Sequence, residues 1–334
     1  MAWNVCVIGA GINGLAVARE LQRRFGRDIK LTIVTDKKTP ETTSDVAAGL
    51  WMPHLVNGEN AELLKKWAAE TYEHIAELDR KSPDSGAFLC SGYTFDNTPT
   101  PPDFAESIYH SFRRLSASEI QRLGFSDFKY GNFYTTYFLE PSIYLRKLMK
   151  EFREEGGELL EKKLESVDDL LPGRFDLIVN CAGLGSRYLF GDEEVLPIRG
   201  HVIRAKCPSM KHFYIFNGQF HCFPNSDTVV LGGTKDKGDF DLSIRASDTQ
   251  LILSETLKYL PQLKKAEIVQ QRVGLRPFRK AIRLELERFQ TKSGITIPIV
   301  HNYGHGGSGI TMFYGCSKAA ADLVEAELLH TSKL

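Results

Sequence analysis

The stretch from Asn4 to Gly14, NVCVIGAGING, constrains this chain more than any other. Val5 to Ile8 reads as a short buried strand running into Gly9-Ala10-Gly11-Ile12-Asn13-Gly14. A helix pattern follows at once, with Leu15, Ala18, Leu21 and Phe25 on one face. Strand, G-x-G-x-x-G and helix in that order form a dinucleotide-binding turn. Gly9 serves the tight turn, Gly11 the approach of a pyrophosphate, and Gly14 the close packing of helix on strand. The diphosphate then rests on amides at the positive end of the helix dipole. A second strand, Lys30 to Val34, leads to Asp36, the acid expected to accept from ribose hydroxyls. An ordinary Gly-rich turn in a parallel sheet would not explain turn, helix and acid arriving together. The unit alone leaves FAD and NAD both open.

The 334 residues allow two domains, and 42% hydrophobic content is enough for real cores. A net charge of +0 gives no global field toward nucleic acid or a membrane surface, so neither is an expected partner. The six cysteines include no C-x-x-C pair and several sit in apolar runs, as expected for buried thiols in a reducing compartment. The glycine motif begins too early to leave room for an N-terminal signal, and no apolar run reaches spanning length. The histidines are scattered; His301 and His305 share a ligand-like spacing but fall in a glycine loop, so no metal site is expected. The ending Ser332-Lys333-Leu334 reads as a peroxisomal address, implying an import receptor as partner and the peroxisomal matrix as location.

Along the chain, Thr42-Thr43-Ser44-Asp45 precedes a run of small residues to Gly49. It suits either a phosphate-binding loop or a helix N-terminus capped by Thr43 or Ser44. Leu64, Trp67, Ala68, Tyr72, Ile75 and Leu78 give a helix whose aromatics pack in the core. Pro99 to Pro102 breaks regular structure, and the region onward to Tyr137 is expected to be irregular. Pro141-Ser142 opens another helix. Phe175 to Cys181 reads as a buried parallel strand delivering Gly183 to the cofactor edge. After Pro197, short apolar runs separated by Pro, Asn, Asp and Gly predict antiparallel sheet, and a helix is expected from Asp248 to Leu260. Gln270–Arg276 and Gly294–Val300 are strand-like, and a final helix starts near Gly309.

The fold class is therefore α/β plus α+β: a Rossmann-like nucleotide-binding domain interleaved with an antiparallel β-rich substrate domain. The expected boundaries are 1–52, 142–190 and 285–334 for the first, and 53–141 and 191–284 for the second.

His301-Asn302-Tyr303-Gly304-His305-Gly306-Gly307-Ser308-Gly309 aims a second set of free amides at one place, between a strand and a helix. A flavin ring, whose pyrimidine edge gains negative charge on reduction, uses such donors. Two such turns at opposite ends of one chain favour a flavin over NAD.

At this point the sequence resembles the peroxisomal D-amino-acid oxidase and D-aspartate oxidase flavoproteins. The likeness covers nearly the whole chain and is most specific at the N-terminal turn, TTSDVAAGLW (Thr42 to Trp51), VGLRPFR (Val273 to Arg279) and VHNYGHGGSG (Val300 to Gly309). It implies non-covalent FAD and oxidation of a D-amino acid to an imino acid. The imino acid hydrolyses to a 2-oxo acid and ammonia, and O2 becomes hydrogen peroxide. It also implies cofactor contacts at Gly9, Gly11, Ile12, Gly14, Asp36, Lys37, Thr43, Ser44, Gly49, Leu50, Met52, Leu164, Gly183, Gly306, Gly307, Gly309, Ile310 and Thr311.

A substrate α-carboxylate calls for a fixed bidentate cation, and Arg276 suits this better than a lysine would. The resemblance makes Arg276 that arginine, leaves Arg279 as an ion-pair partner, and gives the amine to the backbone carbonyl of Gly307. Ser308 is a further substrate-side candidate. Members of the family present a tyrosine to the carboxylate where this chain has His221, a departure. Lys235 falls where vertebrate D-aspartate oxidases carry arginine; a second cation is offered by Lys211 or His212, out of register. Hydride transfer needs no strong side-chain base if the amine binds neutral, so none is assigned. The expected activity is oxidative deamination of D-aspartate and D-glutamate. A D-amino-acid oxidase acting on neutral or basic substrates is the nearest rival, since GGSG at Gly306 to Gly309 resembles the neutral-substrate enzymes. An NAD-dependent dehydrogenase and a non-catalytic FAD-binding protein are the other classes. The purified protein is expected to be yellow with a flavin absorbance spectrum; a colourless protein that binds NAD would select the dehydrogenase.

Overall fold

The computed structural model describes residues 2–56, 60–99, 103–173 and 175–331. The chain opens with β1 (Trp3–Ile8), α1 (Ile12–Phe25) and β2 (Ile29–Thr35), the strands pairing in parallel. There follow α2 (Thr43–Val46), α3 (Ala61–Lys81), β3 (Ala87–Asp96), β4 (His110–Arg114), α4 (Ala117–Arg122) and β5 (Tyr130–Leu139). Next come α5 (Pro141–Glu154), β6 (Glu158–Glu161), β7 (Leu177–Asn180) and α6 (Ser186–Leu189). The last third holds β8 (Leu196–Lys206), β9 (Phe213–Phe216), β10 (Phe220–Pro224), β11 (Val229–Gly232), β12 (Asp236–Lys237), α7 (Ala246–Tyr259), β13 (Glu267–Gln290), β14 (Thr296–His305) and α8 (Gly309–Thr331).

These strands form one sheet in the order β4-β5-β3-β9-β10-β11-β8-β13-β14-β7-β1-β2-β6, with β12 added on β8. At one end β14, β7, β1, β2 and β6 are parallel neighbours. Toward the other end the pairs are antiparallel, except for β3 beside β9. The two regimes meet on β13. Its first half pairs with β8 and its second half with β14, with a register shift between Phe278 and Arg283.

The parallel end is covered on both faces, which is why its strands read as nearly unbroken apolar runs. Side chains alternate across a strand, so Val5 and Val7 join a core with Leu15, Trp67, Phe152 and Phe313, while Cys6 and Ile8 join Ile178 and Ile299 on the other face. Trp67 and Tyr72 of α3 sit in the first of these cores, as expected from helical spacing. Under α4 and α7 lies an aromatic core around Phe95, Phe125, Phe128 and Phe216, with Phe95 and Phe125 stacked at 4.2 Å. All six cysteines are free and buried.

The stretch before Tyr137, expected to be irregular, instead holds β4, α4 and β5. β5 is ten residues long and pairs along its length with β3, and its aromatic and β-branched residues from Phe133 to Phe138 suit a strand. The cap of α2 is Thr42 rather than Thr43 or Ser44. Asp45 accepts from the Thr42 amide at 3.0 Å and hydroxyl at 2.6 Å, completing a capping box one residue earlier. Residues 100–102 and 332–334 lie outside the described residues, which takes in most of the proline-rich break and the whole C-terminal tripeptide.

Arg199 on β8 is fully buried and fully committed. It donates to Asp248 at 2.6 Å and to the carbonyls of Asp241 at 2.8 Å and Ser243 at 2.7 Å, tying the sheet to α7 and the loop before it. Removing one partner of such a pair leaves a poorly compensated buried charge. Asp248→Ala is therefore expected to cost about 3 kcal/mol, read as a clearly lowered melting temperature. An unchanged melting temperature would show that α7 is held by its apolar contacts alone.

Candidate active site

A single elongated cavity of about 1130 Å³ runs from the β1–α1 turn to the antiparallel sheet. That exceeds the usual small-ligand pocket of roughly 300–1000 Å³, leaving room for a dinucleotide and a small substrate together. Gly9, Gly11, Ile12, Asp36, Lys37, Thr43, Ser44, Gly49, Leu50, Met52, Leu164, Gly183, Gly306, Gly307, Gly309 and Ile310 all line it. So do Arg276, His221 and Lys235. Positions from all along the sequence thus converge on one space.

The N-terminal turn is shaped by close approach. Gly9 has φ +100, and a Cβ on Gly14 would lie 1.9 Å from the Gly9 carbonyl oxygen. Gly14 does not line the cavity; its role is to let α1 sit against β1. The α1 N-terminus has no side-chain cap and no acid in its first turn, and only the Ile12 amide is engaged, by the Ser44 hydroxyl at 3.1 Å. Free amides at a helix N-terminus favour an anion. Asp36 and Lys37 are exposed at the carboxyl end of β2, at the cavity's outer rim.

The C-terminal glycine turn closes the other wall. A Cβ on Gly307 would lie 2.6 Å from His54 Cδ2 and 2.7 Å from the His54 carbonyl oxygen, so the two segments lie flush. Ser308 and Thr311 do not line the cavity. The Ser308 hydroxyl accepts from the His54 amide at 2.8 Å and donates to the His54 carbonyl at 2.9 Å, and Thr311 donates to the Met52 carbonyl at 2.8 Å. With both capacities used on backbone, Ser308 holds the wall in place, and its hydroxyl has no hydrogen left for a ligand. Asn13 Oδ1 and His305 Nε2 are buried without partners among the described residues, and both residues border the cavity. Unsatisfied buried polar atoms beside free helix amides fit a polar, phosphate-bearing cofactor.

At the far end Arg276 projects from β13 and donates to the Thr234 carbonyl at 3.2 Å. Its guanidinium lies over Gly200 of β8, where a Cβ would come within 2.2 Å of Nη1. Burial lowers its pKa to about 10, partly offset by Asp236, so it remains a cation at neutral pH. Lys235 is half-buried, donates to the Gly218 carbonyl at the β9–β10 turn, and is shifted down by burial and then by Arg276. Neither cation forms an ion pair with a described carboxylate. Two histidines share the space, His54 pushed down to about 3 and His221 to about 4, in each case by burial first and then by Arg276 among nearby charges. The chamber thus combines two cations with two neutral rings, a setting for an anion of more than one charge.

Lys211 and His212 are not in this chamber. The Lys211 carbonyl faces Cys90 and the exposed His212 ring lies 3.1 Å from the Ser91 carbonyl, so neither supplies a second cation. Arg279 is an ion-pair partner, 2.9 Å from Asp192 and 3.2 Å from Glu194. His54, Asn13 and Gly200 were not singled out from sequence. A lone glycine inside a strand signals close backbone approach, and by that sign Gly200 was legible. His54 carried no comparable sign.

Comparison with known proteins agrees with this geometry. A family model described as FAD dependent oxidoreductase (DAO) matches residues 4–323. The chain is 37% identical over 331 residues to D-aspartate oxidase of Homo sapiens, covering 98% of this chain and 95% of that protein. It is 36% identical over 333 residues to D-amino acid oxidase of Dugesia ryukyuensis, covering 98% of each. The crystal structure of glycine oxidase from Geobacillus kaustophilus superposes with a TM-score of 0.78 at 18% identity, over 97% of this chain and 95% of that one, a likeness of fold. Gly14→Ala is expected to yield protein with little bound flavin, measured as the ratio of flavin to protein absorbance. Full flavin occupancy in that variant would contradict the close approach.

Proposed function

Because the chain belongs to the D-amino-acid oxidase family of FAD-dependent oxidoreductases, we propose that it oxidatively deaminates acidic D-amino acids, D-aspartate and D-glutamate, to 2-oxo acid, ammonia and hydrogen peroxide. The observation that carries the substrate choice is the pair Arg276 and Lys235, cations lining one chamber and each bonded to a backbone carbonyl rather than ion-paired with a described carboxylate. An amino acid with two carboxylates supplies a direct partner for each cation; one with an apolar side chain leaves the Lys235 ammonium without a direct ion pair in a partly buried site.

When bound, FAD supplies the two-electron acceptor. The protein's share is binding and orientation. Arg276, fixed by the Thr234 carbonyl, holds the α-carboxylate through its planar fork. The Gly307 carbonyl accepts from the amine, and Lys235 takes the side-chain carboxylate. The chamber walls, with His54 and the β9–β10 turn, limit water around the reacting carbon. No protein base is required in this scheme, only a fixed pose. The cradle offers amides, hydroxyls and glycines, and all six thiols are buried; it holds FAD non-covalently. The Ser332-Lys333-Leu334 ending supports delivery to peroxisomes by an import receptor, where peroxide is handled.

A broader D-amino-acid oxidase is the second reading, favoured by the Gly306-Gly307-Ser308-Gly309 order and by the planarian relative. Comparing kcat/KM for D-aspartate, D-glutamate, D-alanine and D-methionine decides between them, and stronger activity on D-alanine than on D-aspartate would overturn the acidic assignment. Arg276→Ala is expected to abolish turnover of every D-amino acid with flavin still bound; near-normal turnover would remove Arg276 from the site. Lys235→Met is expected to lower kcat/KM for D-aspartate by roughly 10- to 100-fold, the worth of a charge-assisted hydrogen bond, while sparing D-alanine.

A further inference from the structure

We propose that a carboxylate entering this chamber brings a proton with it, taken up from solvent at Nε2 of His221. The proposal rests on the reading that acids bind beside Arg276 and Lys235.

His221 lies on β10, opposite Gly232 of β11. Its ring stacks on Phe223 at 4.2 Å and lies flat on the Gly232 backbone, where a Cβ would be 2.4 Å from both Cε1 and Nε2. Ring position is thus set by packing from both sides. Nδ1 lies 3.2 Å from the Gln219 carbonyl oxygen, which can only accept, so Nδ1 carries the hydrogen. A neutral imidazole has one N–H, and Nε2 is then a bare lone pair. It makes no hydrogen bond to any described residue, and the side chain lines the cavity.

The groups facing this ring are Arg276 from β13, Lys235 from the segment after β11, and His54 from the segment after α2. The nearby carboxylates act on the cations, Asp236 on Arg276 and Asp96 on Lys235. Burial, then Arg276 and Lys235, push the free ring down to about 4, so it is neutral at physiological pH. A carboxylate changes both electrostatic conditions. It cancels the positive field of Arg276 and Lys235, and it faces a lone pair that repels it until that nitrogen carries a proton. Both effects raise the ring's affinity for a proton, and the protonated ring then donates a charge-assisted hydrogen bond. A tyrosine at this position would donate at any pH below its own ionisation; a histidine makes binding conditional on pH.

The sign follows from linkage. Below about 4 the free ring is already protonated and binding takes up nothing. Between that value and the raised value in the complex, binding consumes a proton and affinity falls as pH rises, approaching about tenfold per pH unit. Above the raised value, binding is weak and no longer pH-dependent.

The test is calorimetric titration of the FAD-loaded enzyme with succinate and with propionate, in two buffers of different ionisation enthalpy, from slightly acidic to slightly alkaline pH. The parent is expected to take up close to one proton per bound ligand, approximately the linkage maximum for one site. His221→Gln and His221→Tyr, which donate without titrating, are expected to take up almost none and to lose the pH slope. Flavin content and melting temperature qualify each variant, and either one suffices. Absence of uptake by the parent overturns the proposal, as does full uptake in a folded variant, which would move the proton to His54 or another group. Uptake with propionate but no binding of succinate would support His221 and refute the acidic-substrate reading, so the two fail separately.

Discussion

One strand, β13, sets the distance between the two chemistries of this protein. It runs from Glu267 to Gln290, hydrogen-bonded first to β8 and then to β14, so it belongs to the antiparallel sheet at one end and meets the nucleotide-binding sheet at the other. Arg276 projects from its first half. One residue later, where Pro277 has no amide hydrogen to give, the Pro277 carbonyl accepts from the Gly306 amide at 2.9 Å. Arg276 and the C-terminal glycine turn are thus fastened to one backbone. A ladder paired along much of its length resists the bending that would change their separation.

Around that strand the walls are held by backbone rather than by bulky side chains. The glycine turn lies flush with His54, locked there by the two-way hydrogen bonds of Ser308. The Thr43–Val46 segment is capped by Thr42 and gripped by Arg272, which donates to the Asp45 carbonyl at 3.3 Å and to the preceding Pro40 carbonyl at 2.6 Å. Side chains that might have been ligands are spent on geometry, and amides and carbonyls are left to face the cavity. Such a surface is preorganised: its dipoles need no reorientation when charge develops on a bound group.

At the substrate end the two cations hold backbone carbonyls instead of direct ion pairs, with Asp236 acting on Arg276 and Asp96 on Lys235. Arg276 keeps its proton despite burial, and burial first, then the charges of Arg276 and Lys235, holds two neighbouring histidines neutral. Under the proposed function this potential favours anions, and the proposed role of His221 joins their recognition to proton balance.

Much of this was legible in the amino-acid order. The β1–α1 turn, Asp36 and the VHNYGHGGSG turn are local patterns whose chemistry is written in adjacent residues, and the structure brings them to one cavity. The unbroken apolar run of β1 and the spacing in α3 announced buried elements. β5, expected to be irregular, carries an aromatic and Thr-rich run that suits a strand, whereas β4 was not legible because it is a short, mostly polar strand defined by its pairing with β5. Nor was the use of Ser308, whose hydroxyl could as well have met a ligand until the fold placed the His54 backbone against it.

The sequence by itself announced a dinucleotide-binding turn and a second glycine turn, and singled out Arg276 as the candidate for a carboxylate. These depend on glycines and charges read within a few residues of one another. Only the tertiary structure decided that Lys235 and His221 share a chamber with Arg276 and His54, that Lys211 and His212 do not, and that Gly200 clears the space for the guanidinium. Those outcomes arise from register across β8, β10, β11 and β13, and register is a property of paired strands that no single stretch of sequence contains.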